Sequence, residues 1–130
     1  WMFPEVVQEG MRRLMDLTKD NKPYQVNFAM AYGGREEVID AVKKLGEDIK
    51  AGKIDIDKLN EEVFGKYLYL DSDPELIIRT GGEKRTSNFL AWQGIYSEWF
   101  FLEKTWPELE KEDLVKVIEE FNQRERRFGR

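Results

Sequence analysis

Four stretches of the chain place apolar residues three and four positions apart, which is the spacing of a helix with one buried face. The apolar stripes run over residues 7–15, 38–49, 59–67 and 114–121. Pro4 suits the first turn of the first helix, and Asp55 or Asp57 can cap the third. The pattern therefore predicts four amphipathic helices spread along the chain.

Three other stretches are dense in apolar and aromatic residues over lengths typical of buried strands. They cover residues 24–32, 76–78 and 99–102, and residues 88–95 predict a further short helix between the last two. Strands that alternate with helices predict an α/β fold with a mostly parallel sheet covered by helices on both faces. Three strands are few for such a sheet, and Trp1 is not a natural translation start. We therefore expect residues 1–130 to be the later, carboxyl-terminal part of a larger single domain.

The composition limits the chemistry that is open to the chain. Its formal net charge of −5 argues against a general nucleic-acid binder. With no Cys and no His there is no thiolate nucleophile, no imidazole base and no thiolate metal site. Any bound metal is therefore held by oxygen atoms, which favours Mg²⁺. No apolar run is long enough to cross a bilayer and no signal peptide is visible, so we expect a cytoplasmic protein.

The strongest candidate for a site follows the stretch at residues 76–78. Arg79 ends this apolar stretch, two glycines allow a sharp turn, and Arg85 and Ser87 then precede the predicted short helix. A guanidinium group can bind phosphate oxygens through two hydrogen bonds, and N–H groups at a helix start also favour an anion. The pattern predicts a phosphate or diphosphate site at the carboxyl end of a strand. The alternative is a surface loop whose arginines are simply solvated.

The same stretch resembles the signature of the cis-prenyltransferases, the family of undecaprenyl and dehydrodolichyl diphosphate synthases. The match has no gap from Arg79 to Glu98 and covers the later half of the family pattern. The matching segments are Arg-Thr-Gly-Gly-Glu-Lys-Arg-Thr-Ser-Asn-Phe-Leu at 79–90, Trp-Gln at 92–93, Tyr-Ser-Glu at 96–98, Trp-Pro at 106–107 and Arg-Glu-Arg-Arg-Phe-Gly at 124–129. The resemblance implies that Arg79, Arg85 and Ser87 bind the diphosphate of isopentenyl diphosphate.

The resemblance implies further roles that the residues alone do not show. Glu98 corresponds to a catalytic Mg²⁺ ligand, although an ordinary surface carboxylate is the alternative. The family's other metal carboxylate belongs to an Asp-Gly-Asn-Gly-Arg-Trp loop, and no such loop occurs in residues 1–130. Arg127 and Gly129 match a carboxyl-terminal motif that, in dimeric members, reaches the partner's pocket and helps to bind the same diphosphate. The alternative for this tail is a solvated basic helix end.

Four supporting residues complete the prediction. Glu83, between the two arginines, either orients them or neutralises them, and we favour the orienting role. Asn88 is expected to cap a helix or to position a neighbour by hydrogen bonding. Gly33 and Gly34 end a predicted strand and open a helix, and we favour tight turning and helix packing over phosphate binding.

The resemblance thus implies an enzyme that condenses isopentenyl diphosphate with an allylic diphosphate to give a Z-polyprenyl diphosphate. It also implies Mg²⁺ as cofactor, a homodimer, and peripheral membrane contact through the lipid product. The alternative is a non-catalytic partner subunit of a heteromeric cis-prenyltransferase, and the missing loop would fit that alternative. A phosphate-binding α/β module of another family is the remaining possibility, and it would require the long match to be a coincidence.

Overall fold

The structure is a computed structural model, and it describes residues 2–124. The chain divides into two compact units, Trp1–Tyr32 and Gly33–Arg130. The described residues contain no helix that is both long enough and apolar enough to span a membrane.

The first unit contains one helix, α1, at Glu5–Thr18. The helix confirms the prediction from the apolar stripe at residues 7–15, and the carbonyl of Pro4 accepts the first helical hydrogen bonds. The predicted strand at residues 24–32 is wrong, because this segment has no regular secondary structure. A strand needs a neighbour for its backbone N–H and C=O groups. Without one, Tyr24 is 87% exposed and Phe28 is 73% exposed.

Up to residue 124, the second unit contains three α-helices, two strands and two short 3₁₀ helices. In chain order they are α2 (Gly34–Lys50), a 3₁₀ helix (Ile56–Lys58), α3 (Glu61–Gly65), β1 (Leu76–Arg79), β2 (Glu98–Phe101), a second 3₁₀ helix (Trp106–Glu108) and α4 (Lys111–Gln123). Helices α2 and α4 confirm the predictions from their apolar stripes. The third predicted helix, which was expected to start at Asp55 or Asp57 and to carry the stripe at residues 59–67, is instead divided into the first 3₁₀ helix and α3.

Two side-chain caps explain this division. Asp55 accepts a hydrogen bond from the backbone N–H of Asp57 and caps the first 3₁₀ helix, as predicted. Leu59 then adopts an extended backbone conformation, with φ −67° and ψ 128°, which ends that helix. Asn60 accepts from the N–H of Val63 at 2.9 Å and starts α3 as a separate element. The apolar period continues across the break, so periodicity alone did not reveal it.

The two strands form a parallel pair in which Leu76 lies opposite Glu98 and Arg79 lies opposite Phe101. This pair confirms the α/β class and the parallel direction of the sheet. Two strands are present in the described residues, against the three that were predicted. The carboxyl ends of parallel strands lie at the same end of a sheet. Arg79, the last residue of β1, and Glu98, the first residue of β2, therefore lie at opposite ends of the pair.

The predicted helix at residues 88–95 is also wrong, because this segment is a series of turns. Ser87, Asn88 and Leu90 have φ values of 47°, 64° and 44°. This left-handed region is unfavourable for residues with a side chain and is incompatible with a right-handed helix. No helix start therefore follows Ser87, and the predicted contribution of helix N–H groups to anion binding at this point is not present.

The apolar core of the second unit draws residues from four elements. Its buried members are Ala41 and Leu45 of α2, Ile77 of β1, Phe100 of β2, Val117 of α4, and Leu68. Among these residues, Ala41 is completely inaccessible to solvent. Its small side chain allows neighbouring core residues to pack closely against this face of α2.

Two polar side chains are also buried, and they bind each other. Glu37 of α2 and Gln93 are each 1% exposed. Oε1 of Glu37 accepts from Nε2 of Gln93 at 2.9 Å and from the backbone N–H of Tyr69 at 2.7 Å. Nε2 of Gln93 also donates to the carbonyl of Leu70. These bonds connect α2 to two segments that are distant in sequence.

We expect Glu37→Ala to lower the free energy of unfolding by about 2–3 kcal/mol, because it removes the acceptor that the buried amide of Gln93 shares with the N–H of Tyr69. Glu37→Gln keeps an acceptor oxygen and should cost less. The exposed neighbour provides the control, and Glu36→Ala should stay within about 0.5 kcal/mol of the parent. Urea unfolding measures all three. Equal losses for Glu37→Ala and Glu36→Ala would contradict the structural role of the buried pair.

A second prediction concerns the hydroxyl of Tyr69, which donates to Oδ2 of Asp40 at 2.6 Å. This bond raises the pKa of Tyr69 from 10.0 to about 12. Between pH 10 and pH 12 the unfolded chain loses the phenol proton while the folded chain keeps it, so rising pH favours unfolding. Tyr69→Phe should therefore lose less stability across this range than the parent. Tyr24→Phe, at an exposed position, should behave like the parent. The free energy of unfolding, measured against pH for all three proteins, checks this. If it falls equally with pH in all three, the assignment is contradicted.

Candidate functional site

The candidate site begins where β1 ends, and the backbone there is bound to the segment after β2. The carbonyl of Arg79 accepts from the N–H of Leu102 at 2.8 Å. The N–H of Gly81 donates to the carbonyl of Lys104, and that of Gly82 donates to the carbonyl of Leu102, both at 2.9 Å. These bonds hold the start of the loop at the carboxyl end of the sheet, as the sequence predicts.

Both glycines have backbone conformations that suit residues without a side chain. Their φ values are 89° for Gly81 and 75° for Gly82. A Cβ atom on Gly82 would also lie 2.9 Å from a carboxylate oxygen of Glu103. The turn between β1 and the rest of the loop therefore requires the conformational freedom of glycine.

The guanidinium group of Arg79 closes the loop on itself. Its Nη1 donates to Oγ of Ser87 at 3.0 Å and to the backbone carbonyl of Arg85. Arg79 is half-buried, whereas Ser87 is exposed. The structure therefore brings two of the predicted diphosphate ligands into direct contact, eight residues apart in sequence.

The guanidinium group of Arg85 has a different partner. Its Nη1 lies 2.5 Å from a carboxylate oxygen of Glu83, and both side chains are more than half exposed. This ion pair is the contact that an orienting role for Glu83 requires. Because both groups face solvent, the pair contributes little to stability, and the fork of Arg85 stays accessible to a ligand.

Asn88 binds the start of α2 rather than a helix of its own. Its backbone carbonyl accepts from the N–H of Gly34 at 2.8 Å, and its Oδ1 accepts from the N–H of Arg35 at 2.9 Å. A Cβ atom on Gly34 would lie 2.8 Å from the backbone N of Ala91. The first N–H groups of α2 are thus already used. The contact at Gly34 is the close packing that we expected of this turn. Because the N–H groups of Gly34 and Arg35 already donate to Asn88, they are not available to bind a phosphate.

Glu98 lies away from this loop, at the amino end of β2. Each strand is four residues long, so Glu98 lies roughly 10 Å from Arg79 along the strand direction. Its Oε2 accepts from Nη1 of Arg124 at 2.7 Å. The guanidinium group of Arg124 also stacks 4.0 Å from the ring centre of Phe100 and binds Glu120. The bond with Glu98, followed by that with Glu120, raises the pKa of Arg124.

We tested whether the residues present fit the Mg²⁺ that the resemblance implies. Within residues 2–124, no three acidic side chains come together in a way that could hold a metal ion. Glu98 is a single carboxylate paired with an arginine, and it does not meet Arg79 or Ser87. By themselves the described residues therefore do not fit a Mg²⁺ site. Arg127 and Gly129 lie outside the described residues.

A cavity of about 540 Å³ lies elsewhere in the second unit. Its walls include Leu68, Trp92 and Gln93, with acidic groups at Glu61 and Asp71. None of the predicted site residues lines it. The arginine loop is instead an open, exposed surface, so the size of a cavity is a poor guide to the candidate site here.

The whole chain was then compared with known proteins. A family model described as "Putative undecaprenyl diphosphate synthase" matches residues 1–129. The chain belongs to this family, the cis-prenyltransferases. Membership agrees with the position of Arg79, Arg85 and Ser87 in one loop at the end of a parallel strand.

Curated relatives come from archaea and bacteria. A protein of Methanopyrus kandleri named tritrans,polycis-undecaprenyl-diphosphate synthase (geranylgeranyl-diphosphate specific) is 48% identical over 131 residues, which covers 99% of this chain and 48% of that protein. An isoprenyl transferase of Clostridium perfringens is 46% identical and covers 98% of this chain and 51% of that protein. The chain thus spans about half the length of the curated relatives it matches.

Solved structures of family members have the same fold. Lavandulyl diphosphate synthase from Lavandula x intermedia, in complex with dimethylallyl diphosphate, superposes with a TM-score of 0.91 at 32% identity, over 99% of this chain and 56% of that one. A probable undecaprenyl diphosphate synthase from Campylobacter jejuni gives a TM-score of 0.87 at 38% identity, over 99% of this chain and 59% of that one. Cis-prenyltransferase structure therefore extends over nearly the whole chain.

Sequence reasoning missed the partner of Glu98. Arg124 is 26 residues away, and no local pattern connects the two positions. We expect a double-mutant cycle with Glu98→Gln and Arg124→Met to give a coupling energy of about 1 kcal/mol in urea unfolding, because the pair is mostly shielded from solvent. The exposed pair Glu62 and Lys66 is the control, with an expected coupling of about 0.3 kcal/mol. Equal coupling energies for the two pairs would contradict the structure.

Proposed function

We propose that this protein is a prenyltransferase that condenses isopentenyl diphosphate with an allylic prenyl diphosphate, in a Mg²⁺-dependent reaction, to give a Z-polyprenyl diphosphate. Family membership supports the class of reaction. The observation that carries the assignment to this chain is the hydrogen bond from Arg79 to Ser87, with Arg85 in the same loop. This loop binds the diphosphate of isopentenyl diphosphate.

The physical basis is the charge and geometry of the loop. A diphosphate presents several anionic oxygens, and charge-assisted hydrogen bonds from guanidinium groups are among the strongest that a side chain can make. Arg79 already holds Ser87 and the carbonyl of Arg85, so its direction is set before a ligand arrives. A site that is ordered in advance loses less conformational entropy on binding.

In the proposed reaction the allylic C–O bond breaks and diphosphate leaves with the electron pair. The terminal alkene carbon of isopentenyl diphosphate forms the new C–C bond to the allylic carbon. A proton is then lost, which leaves the new double bond with Z geometry. The described residues of this chain contribute to this sequence by holding the diphosphate of the attacking substrate, so that its alkene is presented in one orientation.

The remaining parts of the proposal concern metal, assembly and location. We assign Glu98 as one Mg²⁺ ligand, with the other ligands outside the described residues. Arg127 and Gly129 of a second copy complete the diphosphate site in a homodimer. The protein works in the cytoplasm and contacts membranes peripherally through its lipid product.

The alternative is a non-catalytic partner subunit of a heteromeric cis-prenyltransferase. The pairing of Glu98 with Arg124, and the absence of a metal cluster within residues 2–124, favour this alternative. The arginine loop favours the enzyme. Purified protein assayed alone with both diphosphates separates the two: product formation supports the enzyme, and activity that appears only with a second, different subunit supports the partner.

Arg85→Ala in the complete protein should raise the KM for isopentenyl diphosphate by roughly 10- to 100-fold, because one or two charge-assisted hydrogen bonds are lost. Lys84→Ala removes an equal charge from the neighbouring position and should change this KM less than about threefold. Steady-state kinetics with the allylic substrate saturating measures both. A KM that is unchanged in Arg85→Ala would reject the assigned role.

The Mg²⁺ assignment makes opposite predictions for the two members of the ion pair. Glu98→Gln should raise the Mg²⁺ concentration needed for half-maximal activity by about tenfold, because a carboxylate ligand is lost. Arg124→Met removes the competing cation and should lower that concentration. Activity is measured during Mg²⁺ titration after treatment with a chelator. If neither variant shifts the midpoint, Glu98 is not a metal ligand.

A further inference from the structure

We infer that Asn88 is a positioning residue for diphosphate binding, and that it acts by attaching Ser87 to the first turn of α2. The inference rests on the proposed function, because it concerns the same arginine loop. It adds a second point of support for Ser87, on an element 53 residues earlier in the chain.

Two hydrogen bonds make this attachment. The backbone carbonyl and Oδ1 of Asn88 accept from two successive N–H groups, those of Gly34 and Arg35, at 2.8 and 2.9 Å. Gly33, the residue before the helix, makes no side-chain cap of its own. Asn88 therefore supplies, from a distant part of the chain, the cap that a helix normally receives from its own first residues.

The backbone on both sides of this attachment is conformationally restricted. Ser87 and Asn88 both have positive φ values, 47° and 64°. Asn tolerates this region better than most residues, whereas Ser does so less readily. Such conformations persist when the surrounding contacts hold them in place. Here the contacts are Arg79 on one side of Ser87 and the start of α2 on the other.

The packing at Gly34 sets how closely the two segments approach. A Cβ atom at this position would lie 2.8 Å from both the backbone N and the Cβ of Ala91, and 2.9 Å from the carbonyl oxygen of Asn88. These distances are shorter than normal van der Waals contacts. A side chain at Gly34 would therefore push residues 88–91 away from α2 and move Ser87 relative to Arg79.

Asn88→Gly in the complete protein isolates the side-chain bond. Glycine tolerates the positive φ and keeps the backbone carbonyl, so the bond that the N–H of Arg35 donates to Oδ1 is lost while the bond to the carbonyl stays. We expect the dissociation constant for inorganic pyrophosphate, measured by titration calorimetry, to rise about tenfold. The KM for isopentenyl diphosphate should rise similarly, while the KM for the allylic substrate stays within twofold.

Gly34→Ala tests the same attachment from the helix side and should weaken pyrophosphate binding in the same way. Matched controls are available for both variants. Asn60→Gly removes an equivalent cap from α3, where Oδ1 accepts from Val63 at 2.9 Å. Gly46→Ala adds a methyl group within α2 at a position with no neighbour within 4 Å. Both controls should leave pyrophosphate binding within twofold of the parent.

The outcomes separate this inference from the proposed function. Arg79→Ala and Ser87→Ala test the diphosphate site directly. If they weaken pyrophosphate binding while Asn88→Gly and Gly34→Ala do not, the positioning role is overturned and the site stands. If Asn88→Gly and Asn60→Gly weaken binding equally, Asn88 is an ordinary structural cap and the inference is overturned. If neither Arg79→Ala nor Ser87→Ala has an effect, the diphosphate site and the inference both fail.

Discussion

The guanidinium group of Arg79 joins the end of β1 to the far side of the loop that follows it. It reaches the hydroxyl of Ser87 and the carbonyl of Arg85, and it is half-buried while its partners are exposed. One planar, permanently charged group therefore both shapes the loop and provides part of its positive charge. A lysine could offer the charge but not the fixed, forked direction of the donors.

The segment that follows is held to α2 at two points. Asn88 caps the start of the helix, and Gln93 binds Glu37 one turn further along it. In a helix, residues five positions apart point about 140° away from each other, so both could not face the same neighbour. The two contacts thus explain why residues 88–95 form turns despite their apolar, helix-like sequence. They also connect the interior of the second unit to the loop at its surface.

The candidate metal ligand and the candidate diphosphate ligands lie at opposite ends of the parallel pair. Arg79 and the loop that carries Arg85 lie at the carboxyl end, whereas Glu98 lies at the amino end with Arg124 as partner. The positive charge of Arg124 next to this carboxylate opposes the binding of a metal ion at the same group. Because the chain spans about half of its relatives' length, the metal part of the proposal depends on groups beyond residues 2–124.

Features that depend on neighbouring residues were predictable from the sequence: the amphipathic helices α1, α2 and α4, the two short strands, and the arginine loop with its glycines. Periodicity and turn chemistry are local, so they are readable without a structure. Local pattern failed at residues 24–32 and 88–95, where strand pairing and left-handed backbone decide the outcome. Only the tertiary structure decided that Asn88 caps α2, that Glu37 is buried against Gln93, and that Glu98 pairs with Arg124. These contacts join residues 26 to 56 positions apart, and no local propensity encodes which distant group will satisfy a buried or strained polar atom.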